Sequence, residues 1–222
     1  MTAATPPARR KPRAETSALA RPVRAVRESR QRILSAIREA AIQEFSLHGL
    51  KGTSTQAIAE RAGLTKPQLH YYIAGKEELY SELLDSVMMA WKIEFAPQGL
   101  TEPADILAHY IRQKLDHAFD QPTVSRIFTR EILDGGHNLG RYWPNARVWI
   151  QKEVGMINGW IARGLMRPMN AHLLLMHIWA MTQHHADFAL QVREICGTER
   201  DPQPLNREAV ANDLIPFVLR GC

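Results

Sequence analysis

Residues 55 to 72, "TQAIAERAGLTKPQLHYY", constrain the fold more than any other stretch of the chain. The first half carries a helical apolar period, and Gly63 falls four residues after Ala59. A helix must turn sharply there, at a backbone conformation with positive φ that only glycine adopts cheaply. Ile58, Ala62, Leu64 and Leu69 supply apolar contacts that can hold two short helices, over 55–62 and 66–72, at a steep angle. Thr65 is spaced to cap the second helix, and Gln68 three residues on completes a capping box. Two helices joined in this way form a helix-turn-helix, whose second helix can enter the major groove of DNA. That helix carries Lys66, Gln68, His70, Tyr71 and Tyr72, all able to hydrogen-bond to phosphates or base edges, and no acidic residue lies between Arg61 and Lys76. A negative charge there would oppose the duplex, whose phosphates dominate affinity. Thr55, at the start of the first helix, can cap it and reach a phosphate, and Lys76 is placed to do the same at the start of the next. The competing reading is an ordinary helical hairpin with polar residues facing solvent.

The rest of the chain repeats the helical period without a convincing strand. The spacing predicts helices from about Glu28 to Gly49, from Lys76 through "KEELYSELLDSVMMAWKIEF", and from Pro103 to Phe119. Further helices are expected from Pro122 to Leu133, Asn145 to Arg163, Ala171 to Val192 and Arg207 to Leu219, an all-α chain of about nine. Three regions follow: a basic tail over 1–27, a helix-turn-helix domain over 28–75, and a ligand-binding and dimerisation domain over 76–222. Seven arginines and lysines against Glu15 alone give residues 1–27 a net charge of +6, so the other 195 residues carry −1. The tail, rich in Pro, Ala and Thr, reads as disordered; it is either an arm that seeks polyanions or a solubilising segment. Cys196 and Cys222 are far apart and in no C-x-x-C, so neither a disulfide framework nor a zinc-finger spacing is suggested. No run reaches the ~18 apolar residues of a membrane span, and no secretory signal is evident. A cytoplasmic location is the expectation.

The stretch "TSTQAIAERAGLTKPQLHYYIAGKEELY", preceded by a helix of about twenty residues, resembles the DNA-binding domain of the TetR family of bacterial repressors. Thr53, Ser54, Ile58, Ala59, Ala62, Gly63, Leu69, Tyr72, Lys76, Glu77 and Leu79 match that family's pattern. Leu64-Thr65 stands for its usual V-S, His70 for its first tyrosine and Ile73 for its phenylalanine. The His70 departure puts in doubt the phosphate contact of the family's tyrosine, which Tyr71 beside it can replace. Downstream, "HYIRQKLDHAF" and "HIWAMTQHHADFALQV" are similar to segments in the pyrimidine-utilisation regulators of that family. The resemblance implies a homodimer that binds a palindromic DNA operator and responds to a small-molecule effector, most simply as a repressor. Helices at about 171–192 and 207–219 are then candidates for a dimer-forming four-helix bundle.

Within the apolar segment from Leu173 to Leu190, Trp179, Gln183 and Asp187 fall at steps of four on one stripe. An indole beside an amide suits a flat polar heterocycle, stacked on one face and hydrogen-bonded at its edge. Lys114 and Arg112 on the preceding helix are further partners for such a ligand. Gln183 bonded to a neighbouring backbone, with Trp179 as plain core, fits the residues equally well; the resemblance to the pyrimidine regulators favours the ligand. His184, His185 and Asp187 admit a different reading, a metal sensor or metal-dependent hydrolase, but adjacent histidines on a helix point about 100° apart. No nucleophile elbow, phosphate-cradling glycine loop or H-E-x-x-H motif is present. The expectation is a regulator with no cofactor and no catalytic residue.

Overall fold

The computed structural model describes residues 20–90, 93–198 and 205–222, and among them every regular element is a helix. In chain order these are α1 (Ala20–Gly52), α2 (Thr55–Arg61), α3 (Lys66–Tyr72), α4 (Lys76–Ala90), α5 (Pro103–Asp120), α6 (Pro122–Leu133), α7 (Trp143–Ala162), α8 (Ala171–Asp187), α9 (Ala189–Cys196) and α10 (Arg207–Arg220). Ten helices stand where about nine are expected, because the segment from Ala171 to Val192 breaks at Phe188 (φ −112°, ψ 28°) into α8 and α9. Its continuous apolar character hides that break from a reading of periodicity.

The helix α1 begins at Ala20, eight residues before the expected start at Glu28. Pro22 suits a first helical turn, where its missing N–H has no partner to lose. This correction shortens the tail expected over 1–27, of which residues 1–19 lie outside the described residues. The α1 path breaks as expected at Gly49, whose φ is 66°.

Two apolar cores organise the chain. The first gathers Ile37, Ala41 and Phe45 of α1, Ile58 and Ala59 of α2, Leu69 of α3, and Leu79, Tyr80, Leu83 and Leu84 of α4. Phe45 and Tyr80 meet edge to face at 4.9 Å, the geometry that aromatic quadrupoles prefer. The second core gathers the inner faces of α5, α7, α8 and α10, including Ile111, Ile157, Ile178 and Leu214. Between them lies α6. Its Ile127 is buried in the first core, whereas its Ser125 and Thr129 hydroxyls donate to Asp187 of α8 at 2.8 and 2.6 Å. One helix therefore touches both halves.

Candidate DNA and effector sites

Local devices set the geometry of α2 and α3. Gly63 has φ 69°, and the chain reverses through Leu64 N–H donating to Ala59 O at 2.9 Å and Gly63 N–H to Glu60 O at 3.1 Å. That pair of bonds closes the end of α2 around a left-handed residue. The capping box forms as expected: Thr65 Oγ1 accepts from Gln68 N, and Gln68 Oε1 accepts from Thr65 N at 2.8 Å. At the start of α2 the cap is Ser54, whose Oγ accepts from Ala57 N at 3.0 Å. This corrects the assignment of the cap to Thr55, which lies one residue inside the helix. Arg61 donates to Glu44 Oε1 at 2.7 Å and ties α2 to α1.

With Leu69 fully buried, the rest of α3 is oriented. Lys66, Gln68, His70 and Tyr71 are exposed, Tyr71 by 80%, and Tyr72 is half-buried against the first core. Tyr72 braces Tyr71 edge to face at 5.1 Å. The structure thus gathers these side chains on one short helix with no acidic neighbour in it. Lys76 is placed differently. Its ammonium donates to Leu50 O at 3.0 Å and Thr53 O at 2.8 Å, carbonyls beyond the Gly49 break.

In the second half the residues come from far apart in sequence. Trp179 Nε1 donates to Tyr110 Oη at 2.7 Å, and the Lys114 ammonium lies 5.5 Å from the Tyr110 ring centre and 5.6 Å from that of Trp179. A cation over two aromatic faces is held by their quadrupoles. Lys114 and Gln183 also line one small cleft, together with His117, Ala118 and Ser125. Of the sequence-predicted ligand residues, Lys114, Trp179 and Gln183 are therefore brought together. Asp187 instead accepts from Ser125 and Thr129, while Arg112 is exposed and pairs with Glu208 at 3.7 Å.

Sequence reasoning missed Tyr110 and Glu153. Burial pushes the Glu153 carboxyl up to about 7, against the pull of Lys114; burial likewise pushes Lys114 down to about 8, against the pull of Glu153. Glu153 Oε2, Gln113 Oε1, His109 Nε2 and His185 Nδ1 are buried without a hydrogen-bond partner among the described residues. An acid in the largely apolar run "VWIQKEVGMI" was the one available signal for Glu153. His184 stacks on Phe188 at 5.0 Å and His185 on Phe119 at 5.5 Å. Among the described residues no group of three or more His, Cys, Asp or Glu side chains converges to hold a metal ion.

The halves are joined by a buried carboxylate. Glu131 of α6 accepts from Tyr80 Oη of α4 at 2.9 Å and from Asn138 N at 2.7 Å.

Comparison with known proteins finds relatives of both parts of the chain. The family described as bacterial regulatory proteins, tetR family, matches residues 37–83, and that of the YcdC-like protein C-terminal region matches residues 82–222. The HTH-type transcriptional regulator RutR of Escherichia coli K12 is 34% identical over 197 residues, covering 85% of this chain and 88% of its own. The HTH-type transcriptional repressor SCO4008 of Streptomyces coelicolor is 28% identical over 149 residues, covering 64% and 75% respectively. Among solved structures, AibR in complex with isovaleryl coenzyme A and operator DNA aligns with a TM-score of 0.63 at 18% identity, covering 84% of this chain and 97% of that one. The ketosteroid regulator KstR2 of Mycobacterium tuberculosis gives 0.65 at 20% identity, covering 83% and 92%. These structural likenesses establish the fold, and the curated relatives, which regulate transcription, set the hydrolase reading aside. With a helix-turn-helix built as the motif demands and both halves matched along 37–222, this chain belongs to the TetR family of helix-turn-helix transcriptional regulators.

Proposed function

We propose that the protein is a homodimeric repressor, released from a palindromic operator when a flat polar heterocycle of pyrimidine type binds between α5 and α8 at Gln183, parting a cleft that holds about 10 Å³ before the ligand arrives. The observation that carries the reading is the meeting of α5 and α8 at Lys114, whose ammonium lies 5.6 Å from the Trp179 ring centre and which lines a small cleft with Gln183. On the DNA side, Lys66, Gln68, His70 and Tyr71 form the reading face, with Thr55, Thr65, Tyr72 and Lys76 serving the phosphates or bracing that face. The basic tail adds sequence-independent attraction. Leu173 and Met176 of α8 and Phe217 of α10 are large, apolar and more than half exposed, which suits burial against a second copy.

The switch runs through α6. Ser125 walls the effector cleft, Ile127 sits in the first core and Glu131 holds Tyr80. A ligand that favours one position of α6 favours one spacing of the paired α3 helices, and only a spacing near one DNA turn, ~34–36 Å, fits both half-sites. Titration of the protein's own upstream DNA, with and without uracil, tests this. Gln183→Leu keeps the volume and removes the amide, so folding and operator binding should survive while release needs about ten- to a hundredfold more uracil. A variant that responds at the original concentration moves the effector elsewhere.

A further inference from the structure

A second cleft lies where the two halves meet, and no wall residue is shared with the cleft at Gln183. It encloses about 470 Å³, within the range of roughly 300–1,000 Å³ of small-molecule sites. Leu83 and Val87 of α4 and Ile127 of α6 form a buried floor, and Ile42 of α1 forms an apolar wall. Its mouth is charged on both sides, by Arg38 of α1 and Asp120 at the end of α5. The two charges differ in their commitments. Asp120 shares Arg207 of α10 with Asp116, whereas the Arg38 guanidinium has no hydrogen bond or ion pair among the described residues. On its α1 side the cleft therefore presents an unpaired guanidinium above an apolar floor. A guanidinium binds a carboxylate through paired charge-assisted hydrogen bonds, and the floor rewards hydrocarbon. The chain's own basic stretch over 1–27, at net +6, has the wrong charge to occupy it.

We propose that this cleft between α1, α4 and α6 is a second effector site, taking a small amphipathic monoanion with its carboxylate on Arg38 and its alkyl body on Ile42, Leu83, Val87 and Ile127. Its walls belong to both halves, so occupancy is linked to how they sit on each other. Whatever factor such a ligand exerts on operator affinity, the operator exerts on the ligand.

Calorimetric titration of the full chain with octanoate, and with 1-octanol as the uncharged control, tests the site. Octanoate should saturate at one molecule per chain and bind at least roughly tenfold tighter than octanol, the difference an Arg–carboxylate contact provides. Arg38→Ala should erase that preference and leave octanol unchanged. Val124→Trp, which fills the cleft from a half-buried position on α6, should abolish binding of both probes while thermal melting stays cooperative. The paired substitution Trp179→Ala/Gln183→Leu should leave octanoate binding intact. The proposal is overturned if octanoate shows no saturable binding at millimolar concentration, or if Arg38→Ala leaves its affinity unchanged. Loss of octanoate binding in the Trp179/Gln183 variant also overturns it, by placing the probe in the first cleft. Should Val124→Trp fail to fold, the exposed Arg38 decides the matter alone.

Discussion

The two halves of this molecule carry their chemistry in opposite ways. In the DNA-binding half the hydrogen-bonding side chains of α3 face outward, aimed by devices three to five residues long: the Thr65–Gln68 box, the Gly63 reversal and the buried Leu69. In the effector half the polar groups face inward and come from distant segments, as in the bond from Trp179 to Tyr110 and the coupling of Lys114 to Glu153. The outward set is complete without DNA. The inward set leaves Glu153 Oε2 without a hydrogen-bond partner among the described residues. A site meant to meet DNA can be rigid and exposed, whereas a site meant to register a small molecule gains from buried groups whose bonds are unmade until it arrives.

The largest effect should come from Leu69→Ala. Leu69 is fully buried between α2, α3 and the first core, so its truncation should cost about 2–5 kcal/mol in urea unfolding. Tyr71→Ala, on the same helix but 80% exposed, should change stability by less than about 0.5 kcal/mol while sharply weakening operator binding. Equal destabilisation by the two variants would break the division between an inner scaffold and an outer reading face.

Much of the first half was legible in the sequence, because its rules are short-range. Gly63, Thr65 and Gln68 fix one another within six residues, and α3 ends within two turns. The cap on α2 was misplaced by one residue, since Ser54 and Thr55 are both competent and only the backbone decides. The second half was legible as helices and much less so as a site. Trp179 and Gln183 stood out on a shared stripe, but Asp187 on the same stripe turned to α6. Tyr110 and Glu153 were hidden in helices whose neighbours become known only through packing.

Next in size is the link between the halves. Tyr80→Phe removes the phenol that donates to the buried Glu131 and keeps the ring packed on Phe45. A hydrogen bond to a buried carboxylate is worth about 1.5–3 kcal/mol, so the urea midpoint should fall while the slope is kept. The uracil concentration that releases DNA should shift as well. An unchanged response would show that α6 signals through Ile127 and α1 instead.

The effector half can also be tested by pH. Glu153 titrates near 7 in the folded chain, above the ordinary carboxylate range, because burial disfavours its charged form. Stability from the protonated carboxyl is full below the unfolded-state value and lost as pH rises through about 7. Lys114 has the opposite sign. Its folded value is depressed to about 8, so stability is full above the ordinary lysine range and lost as pH falls through about 8. Urea unfolding from pH 4 to 8 should therefore show a decline in the native protein that Glu153→Gln lacks. Parallel profiles for the two proteins would mean that the Glu153 carboxyl is solvated like any surface acid.

The smallest effect, and the finest cut between scaffold and reading face, concerns Lys76. From its place at the start of α4 it was expected on a phosphate, yet two of its donors meet the carbonyls of Leu50 and Thr53. An ammonium has three donors, so the third remains for DNA. Lys76→Met keeps the stem and should cost about 1 kcal/mol of stability through the two lost carbonyl bonds. If the third donor also meets a phosphate, operator affinity should fall alike for all sequences and the salt slope become shallower by about 0.9. Lys66→Met, on the exposed face of α3, should give the same change in slope with no change in stability. A Lys76→Met protein that is less stable but keeps the full salt slope would make Lys76 an anchor alone. The cations that face the duplex would then start with Lys66, and the boundary between the two roles would fall between α3 and α4.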